Sequence, residues 1–138
     1  MPSNSYRDDF PELVEKVILT VDDNEMNQLV MSKIMQNAGI KIVAAGNGAE
    51  AIEKLNAGLK PDAILMDLEM PVMNGIQASE FIRNRIDPQM PIVVNSGSVS
   101  AYEKWKLKRL GIQEFLEKPY SMKDIFSKLS KSMLLLPA

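Results

Sequence analysis

The chain has 138 residues, a net charge of -2, and neither cysteine nor histidine. This length suits one domain with a full core, and the composition excludes disulfides, thiol nucleophiles, histidine-ligated zinc and Ser-His-Asp triads. A near-neutral charge offers no global field for nucleic acid, and no apolar run reaches the roughly 20 residues needed to span a bilayer. We therefore expect a soluble, cytoplasmic protein that contacts no nucleic acid directly and does not insert into a membrane.

Taken in order, the chain alternates short apolar runs with helical patterns. Residues 1–15 are polar and are interpreted as a loosely held N-terminal lead-in, and residues 16–138 as one folded domain. The predicted strands are residues 16–21, 41–45, 63–66, 90–95 and 113–117. The predicted helices are residues 25–37, 49–57, 76–85, 100–110 and a last helix capped by Ser121. The first of these helices repeats apolar residues at the spacing of a core-facing helix, at Met26, Leu29, Val30, Ile34 and Met35.

This alternation predicts an α/β fold, with a five-stranded parallel sheet, five helices on its two faces and right-handed crossovers. Four of the five strands end in polar residues: Asp22 and Asp23, Asp67, Ser96, and Lys118. In a parallel sheet these ends fall on one edge, and ligands bind outside the carboxyl ends of the strands. The sequence therefore predicts three carboxylates, a hydroxyl and an ammonium in one crevice.

Three carboxylates close together repel one another unless a proton or a cation lies among them. Mg²⁺ suits such a site because it prefers oxygen ligands and is completed by waters and a phosphate oxygen. With the ion bound, one carboxylate can act as a nucleophile toward a phosphoryl group. Ser96 and Lys118 are then placed to hold the remaining phosphate oxygens.

Four motifs in this order resemble the receiver domain of the two-component response-regulator family, from about Val17 to the last helix. They are Val21-Asp22-Asp23-Asn24, the loop from Met66 to Gly75, Pro91-Ile92-Val93-Val94-Asn95-Ser96, and Lys118-Pro119. The resemblance implies a flavodoxin-like, doubly wound sheet with strand order 2-1-3-4-5. The opening of the first helix and residues 72–74 look most like receivers attached to hybrid sensor histidine kinases.

The resemblance also implies a role for each site residue. Asp67 would be the phosphoacceptor, Asp22 and Asp23 the Mg²⁺ side chains, and Glu69 a metal ligand through its backbone carbonyl. Ser96 and Lys118 would hold the phosphoryl group, and Phe115 would be the aromatic switch residue. The implied donor is a histidine kinase or a histidine phosphotransfer protein. The domain would be a switch, with only slow self-phosphorylation from small donors and slow autodephosphorylation, and it would dimerise on phosphorylation through residues 100–110, 113–117 and the last helix.

The sequence departs from the family pattern at two places. Gly97 stands where alanine is usual, and Ser96 is the less frequent alternative to threonine. Residues 103–109 place Trp105 among cations that include Lys104 and Lys108, on what would be the signalling face. This segment is interpreted either as an interaction face or as an ordinary solvated helix surface.

Two enzyme interpretations stay open at this point. Gly46-Asn47-Gly48 follows a strand, opens a helix, and precedes an acidic residue by about twenty positions, which is the outline of a dinucleotide site and suggests an NAD-dependent oxidoreductase. An aspartyl-phosphate hydrolase would use the same acidic cluster, with Glu69 as a second acid two residues beyond the nucleophile.

Overall fold

The computed structural model describes residues 5–134, and its centre is a five-stranded parallel sheet. The strands are β1 (Val17–Val21), β2 (Lys41–Ala45), β3 (Ala63–Asp67), β4 (Ile92–Ser96) and β5 (Glu114–Glu117). Their order is β2-β1-β3-β4-β5, which confirms the predicted 2-1-3-4-5 arrangement. Val21 pairs with Ala45 and Met66, and Asp67 pairs with Asn95, so the carboxyl ends of the strands are level at one edge.

Six helices lie around the sheet within residues 5–134: α1 (Ser5–Asp9), α2 (Glu25–Asn37), α3 (Gly48–Asn56), α4 (Gly75–Phe81), α5 (Ala101–Arg109) and α6 (Met122–Leu134). Residues Ile82–Ile86 extend α4 as a π-helical turn. Each of the helices α2 to α5 begins at a polar side chain that accepts a hydrogen bond from a backbone N–H of its first turn; these caps are Asn24, Asn47, Asn74 and Ser100. Ser121 caps α6 in the same way, as predicted.

The prediction of five helices missed α1, which packs against the last helix. The rings of Tyr6 and Phe10 lie 4.8 Å and 5.8 Å from the ring of Phe126, and Leu13 is 1% exposed. These three residues stand at i, i+4 and i+7, a helical spacing that the surrounding polar residues conceal. Residues 5–13 are therefore not a loosely held lead-in, whereas the division of the chain at residue 16 stays a prediction.

The sheet is covered on both faces, because side chains alternate between the two sides of every strand. Leu19, Ile64 and Val94 lie on the face that α3, α4 and α5 cover. Leu65 and Val93 point to the other face, where α2 and α6 pack. Burial on both faces explains why the strands are continuous apolar runs rather than alternating ones.

The inward face of α2 is not the one that its apolar spacing predicts. Met26, Leu29 and Val30 are 66%, 52% and 50% exposed, so only the end of the predicted stripe reaches the core. The inward row instead runs through residues 28, 31, 35 and 38, and its first member is the polar Gln28. The helix thus leaves an apolar surface open to solvent beside the carboxyl edge of the sheet.

Candidate functional site

Three carboxylates converge at the carboxyl edge of the sheet. Asp67 is the last residue of β3, and Asp22 and Asp23 directly follow β1. One carboxylate oxygen of each lies within 4.8 Å of the others. Asp67 and Asp22 are partly buried and Asp23 is exposed. The sequence correctly predicted this cluster because level strand ends bring the three residues together.

Burial raises the pKa of Asp67 from its ordinary value of 3.8 to about 6. The nearby charges of Asp22 and Asp23 contribute to this rise in the pKa, whereas the Glu69 N–H and the positive charge of Lys118 oppose it. Desolvation and like charges both disfavour the ionised form of Asp67, which is the form that a nucleophilic carboxylate needs.

The donor set fits a hard divalent cation. All three groups are carboxylates, and a cation among them would offset both the repulsion and the desolvation that raise the pKa of Asp67. Mg²⁺ takes oxygen ligands in octahedral geometry and keeps several waters, so an open cluster with one exposed member suits it.

The loop after β3 holds Asp67 closely. The Glu69 N–H donates to Oδ1 of Asp67 over 3.0 Å. A Cβ on Gly75 would lie 2.4 Å from the backbone oxygen of Asp67, so only glycine allows the start of α4 to approach the strand end this closely. Val72 has φ +68° at the tip of the loop, where the Met73 N–H donates to the Pro71 carbonyl over 2.7 Å. That is a strained turn for a β-branched residue.

The Ser96 hydroxyl lies in the site but is engaged elsewhere. It is 3.0 Å from Oε1 of Glu69 and 2.9 Å from the Ser98 carbonyl oxygen. A hydroxyl carries one hydrogen, so it can donate to only one of these acceptors at a time. Ser96 is 2% exposed, whereas Glu69 is exposed.

Lys118 follows β5 and precedes a cis peptide bond to Pro119. Among residues 5–134, no carboxylate oxygen lies within 4.0 Å of the Lys118 ammonium. Its charge nevertheless lowers the pKa of Asp67. The structure therefore places Lys118 near the cluster without direct contact with it.

A cavity of about 440 Å³ opens beside the cluster, between α2 and the segment after β5. Its walls include Asp22, Val30, Lys118, Tyr120 and Met122. Burial, followed by the charges of Asp67 and Asp22, raises the pKa of the Tyr120 phenol. The cavity joins the acidic cluster to the exposed apolar surface of α2.

The remaining predicted residues lie on the β5 and α5 side of the molecule. Phe115 is partly buried against the core. Trp105 is 55% exposed, with the Tyr102 ring 6.0 Å away and the Arg109 guanidinium 5.1 Å from its ring. Lys104 pairs with Glu117 over 3.3 Å, and Lys108 is exposed.

Glu117 is a linking residue that sequence reasoning missed. Its carboxylate accepts from the Val99 N–H over 3.2 Å as well as pairing with Lys104, and these contacts lower its pKa. Glu117 thereby links the loop after Ser96 to the end of β5, next to Lys118. Its position beside Lys118 was the only sequence signal available.

Comparison with known proteins decides the family. The family model for the response regulator receiver domain matches residues 18–130. The chain belongs to this family. It is 34% identical over 134 residues to "Two-component response regulator 24" of Arabidopsis thaliana, covering 95% of each chain. It is 33% identical over 124 residues to "Hybrid signal transduction histidine kinase L" of Dictyostelium discoideum, covering 83% of this chain and 7% of that protein.

Solved structures are also similar to this receiver domain. The chemotaxis protein CheY4 of Vibrio cholerae matches with a TM-score of 0.78 at 27% identity, over 86% of this chain and 99% of that one. The receiver domain of sensor histidine kinase PA1611 of Pseudomonas aeruginosa matches with a TM-score of 0.76 at 25% identity, over 87% and 98%. That structure is described as holding a magnesium ion coordinated in its active site cleft.

The chain is thus a receiver domain of two-component phosphorelay signalling, a class that takes its signal from histidine kinases or phosphotransfer proteins. Nothing in the comparisons favours the hydrolase or the oxidoreductase. Gly48 of the suggested dinucleotide motif has a packing role instead, since a Cβ there would lie 2.8 Å from the Met73 carbonyl oxygen and 2.9 Å from Cβ of Ala78. Within residues 5–134, no helix is long and apolar enough to cross a bilayer.

Proposed function

We propose that Asp67 is the phosphoacceptor of this receiver domain and that Asp22 and Asp23 hold Mg²⁺ beside it, with the Glu69 backbone carbonyl as a further ligand. The observation that carries this proposal is the convergence of the three carboxylates within 4.8 Å at the edge where ligands bind to parallel sheets. Bound Mg²⁺ supplies positive charge that keeps the carboxylates ionised and offsets charge on the transferring phosphoryl oxygens.

Asp67 provides the nucleophile. Its Oδ1 accepts the Glu69 N–H, which fixes the carboxylate plane and leaves Oδ2 to attack phosphorus. The new bond joins Oδ2 to phosphorus, and the bond from phosphorus to the donor breaks with its electron pair leaving on the donor.

Lys118 and Ser96 respond to the phosphoryl group. Lys118 has no carboxylate partner within 4.0 Å among residues 5–134 and can reach a phosphoryl oxygen without first breaking an ion pair. Ser96 can exchange its Glu69 or Ser98 acceptor for a phosphoryl oxygen, which draws the loop after β4 inward. Phe115 follows into the space released, and the two loop conformations form the switch.

The donor is a protein that carries a phosphohistidine, either a histidine kinase or a phosphotransfer protein, and it docks on the apolar surface of α2. Met26, Leu29 and Val30 form this surface, and the cavity beside Asp22 continues it toward Asp67. An exposed apolar surface of this kind marks an interaction site, and its place next to the acceptor matches a partner that must bring its own reactive group there.

The docking proposal has a selective test. Leu29→Asp should slow transfer from a phosphohistidine protein and leave self-phosphorylation from acetyl phosphate unchanged, because a small donor needs no docking surface. Lys33→Asp, at an exposed position of the same helix, is the charge control. Equal loss with both donors would contradict docking at this surface.

The signal leaves through α5, β5 and α6, where Trp105, Lys104 and Lys108 form the proposed interaction face. This face also serves a phosphorylation-dependent dimer. Support comes from the Glu117 link, because movement of the loop after Ser96 is transmitted through Val99 and Lys104 to α5.

The acceptor assignment is tested with acetyl phosphate, Mg²⁺ and intact mass. The wild type should gain one phosphoryl group, and Asp67→Asn should gain none. Asp62→Asn is the matched control, since Asp62 precedes the amino end of the same strand and accepts from the Val17 N–H. An adduct that persists in Asp67→Asn would overturn the proposal, and rapid turnover of small phosphate esters would favour a hydrolase.

A further inference from the structure

Gln28 is a polar residue at the head of the inward row of α2, where an apolar side chain would be expected. The row continues with Met31, Met35 and Ala38, which face the core. A partly buried amide is unfavourable unless its donors and acceptor are satisfied by partners. The contacts of Gln28 show why the amide is there.

The Gln28 side chain makes four hydrogen bonds. Its Nε2 lies 2.9 Å from the carbonyl oxygen of Ala45, 3.1 Å from that of Asp22 and 3.2 Å from that of Thr20; because it has two hydrogens for three acceptors, one hydrogen is shared between two carbonyls. Its Oε1 accepts from the Thr20 hydroxyl at 2.7 Å. Because three carbonyls surround one end and a hydroxyl meets the other, these partners fix which end of the amide carries the nitrogen.

These partners lie where the strand pairing stops and the acidic loop begins. The Asp22 N–H donates to the Ala45 carbonyl over 3.1 Å, the last bond that joins the β1 segment to β2. Gln28 binds the same Ala45 carbonyl and the carbonyls on either side of Val21. Gln28 therefore binds the backbone at Asp22 from α2, just beyond the last hydrogen bond between the β1 segment and β2.

The position of this backbone sets the orientation of the Asp22 and Asp23 side chains. Oδ1 of Asp22 accepts the Asn24 N–H over 2.9 Å, and Oδ2 accepts from the Asn27 side chain at 3.5 Å. These contacts aim the Asp22 carboxylate relative to the start of α2, because Asn24 caps that helix and Asn27 lies in its first turn. Gln28 connects the same segment to the ends of β1 and β2 through Thr20 and Ala45.

We propose that Gln28, oriented by Thr20, is a positioning residue for the Mg²⁺ site: it holds Asp22 and Asp23 where they can share an ion with Asp67. The inference rests on the proposed function, since it presumes that these carboxylates bind Mg²⁺. Neither residue belongs to the carboxylate cluster itself. Residues that orient metal ligands in this way typically change metal affinity by about 10- to 100-fold when they are replaced.

The first test measures Mg²⁺ affinity of the unphosphorylated protein by isothermal titration calorimetry. Gln28→Met keeps the length of the side chain and removes all four hydrogen bonds, and it should weaken binding by about tenfold or more. Gln36→Met makes the same change at an exposed position of α2 and should bind like the wild type. Urea unfolding in EDTA establishes that each variant is folded under the titration conditions.

A pair of changes at Thr20 separates hydrogen bonding from packing, and it decides the matter if Gln28→Met does not fold. Thr20 is 3% exposed. Thr20→Val keeps the shape but loses the hydroxyl that orients Gln28, so it should weaken Mg²⁺ binding. Thr20→Ser keeps the hydroxyl and loses a methyl group, so it should bind like the wild type. Weaker binding by Thr20→Ser than by Thr20→Val would show a packing effect and overturn the proposal.

The outcomes distinguish this inference from the function on which it rests. A wild type that binds no Mg²⁺ and forms no Asp67 adduct would contradict the proposed function itself, and the positioning role with it. A wild type that binds Mg²⁺, with Gln28→Met and Thr20→Val binding equally well, would overturn the role of Gln28 alone.

Discussion

The two ends of the sheet differ in how well their polar groups are satisfied. At the amino end, the Asp62 carboxylate accepts the Val17 N–H over 2.8 Å, Glu12 accepts from the Ser130 hydroxyl, and Leu13 is buried. At the carboxyl end, three carboxylates crowd within 4.8 Å and Val72 has a positive φ. The amino end of the sheet therefore stabilises the fold, whereas the carboxyl end retains unfavourable interactions that a ligand can relieve.

The largest expected effect comes from weakening the packing that α1 shares with α6. Phe126 is fully buried, and Phe126→Ala should lower the free energy of unfolding by about 3–5 kcal/mol, because it leaves a cavity under Tyr6 and Phe10. Urea denaturation measures the loss. If the ends are separate in function, Mg²⁺ affinity of the folded variant should not change; the milder Phe126→Leu serves if the alanine variant does not fold.

A second substitution, Asp67→Asn at the carboxyl end of the sheet, should raise the free energy of unfolding rather than lower it. The pKa of Asp67 is raised to about 6, so its ionisation destabilises the fold, and stability falls as pH rises from 3.8 toward 6. The full shift corresponds to about 3 kcal/mol, and solvent access to the site reduces this to about 1–2 kcal/mol. Without Mg²⁺ at pH 7.5, Asp67→Asn should therefore be more stable than the wild type by about that amount.

The gain has two internal controls. It should disappear near pH 3, where Asp67 is protonated in both the folded and the unfolded chain, and Mg²⁺ should stabilise the wild type but not the variant. Chemical denaturation at the two pH values, with and without Mg²⁺, gives all four comparisons. An Asp67→Asn variant that is less stable than the wild type at pH 7.5 would contradict the idea of an electrostatically unfavourable site.

The smallest expected effect concerns the strained turn. Val72 is 83% exposed and has φ +68°, a conformation that asparagine adopts more readily than a β-branched residue. Val72→Asn should raise the free energy of unfolding by about 1 kcal/mol. Val30→Asn, on the exposed surface of α2, controls for the removal of an exposed apolar side chain, and a gain of equal size there would show that strain is not the cause.

Much of this structure could be predicted from local patterns. The strands are largely apolar runs and four of the five are closed by polar residues, so the five strands and the meeting of Asp22, Asp23 and Asp67 at one edge follow from the alternation of elements. The helix cap at Ser121 was equally visible, because a side chain that accepts from its own first turn acts over a few residues.

The missed features depend on contacts between distant segments. The apolar spacing of α2 predicted that Met26, Leu29 and Val30 face inward, but Gln28 takes the inward place because the ends of β1 and β2 offer it three carbonyls. The segment that contains α1 packs on Phe126, which lies far from it in the sequence. Spacing alone cannot show which face of a helix meets a polar partner.

The most direct test of the central claim is a crystal structure with Mg²⁺ and beryllium trifluoride, a phosphoryl mimic. We predict beryllium bonded to a carboxylate oxygen of Asp67, Mg²⁺ held by Asp22 and Asp23, and Lys118 in contact with a fluorine. The Ser96 hydroxyl should turn from Glu69 to the mimic. Beryllium trifluoride bound away from Asp67, or Mg²⁺ held without Asp22 and Asp23, would contradict the account.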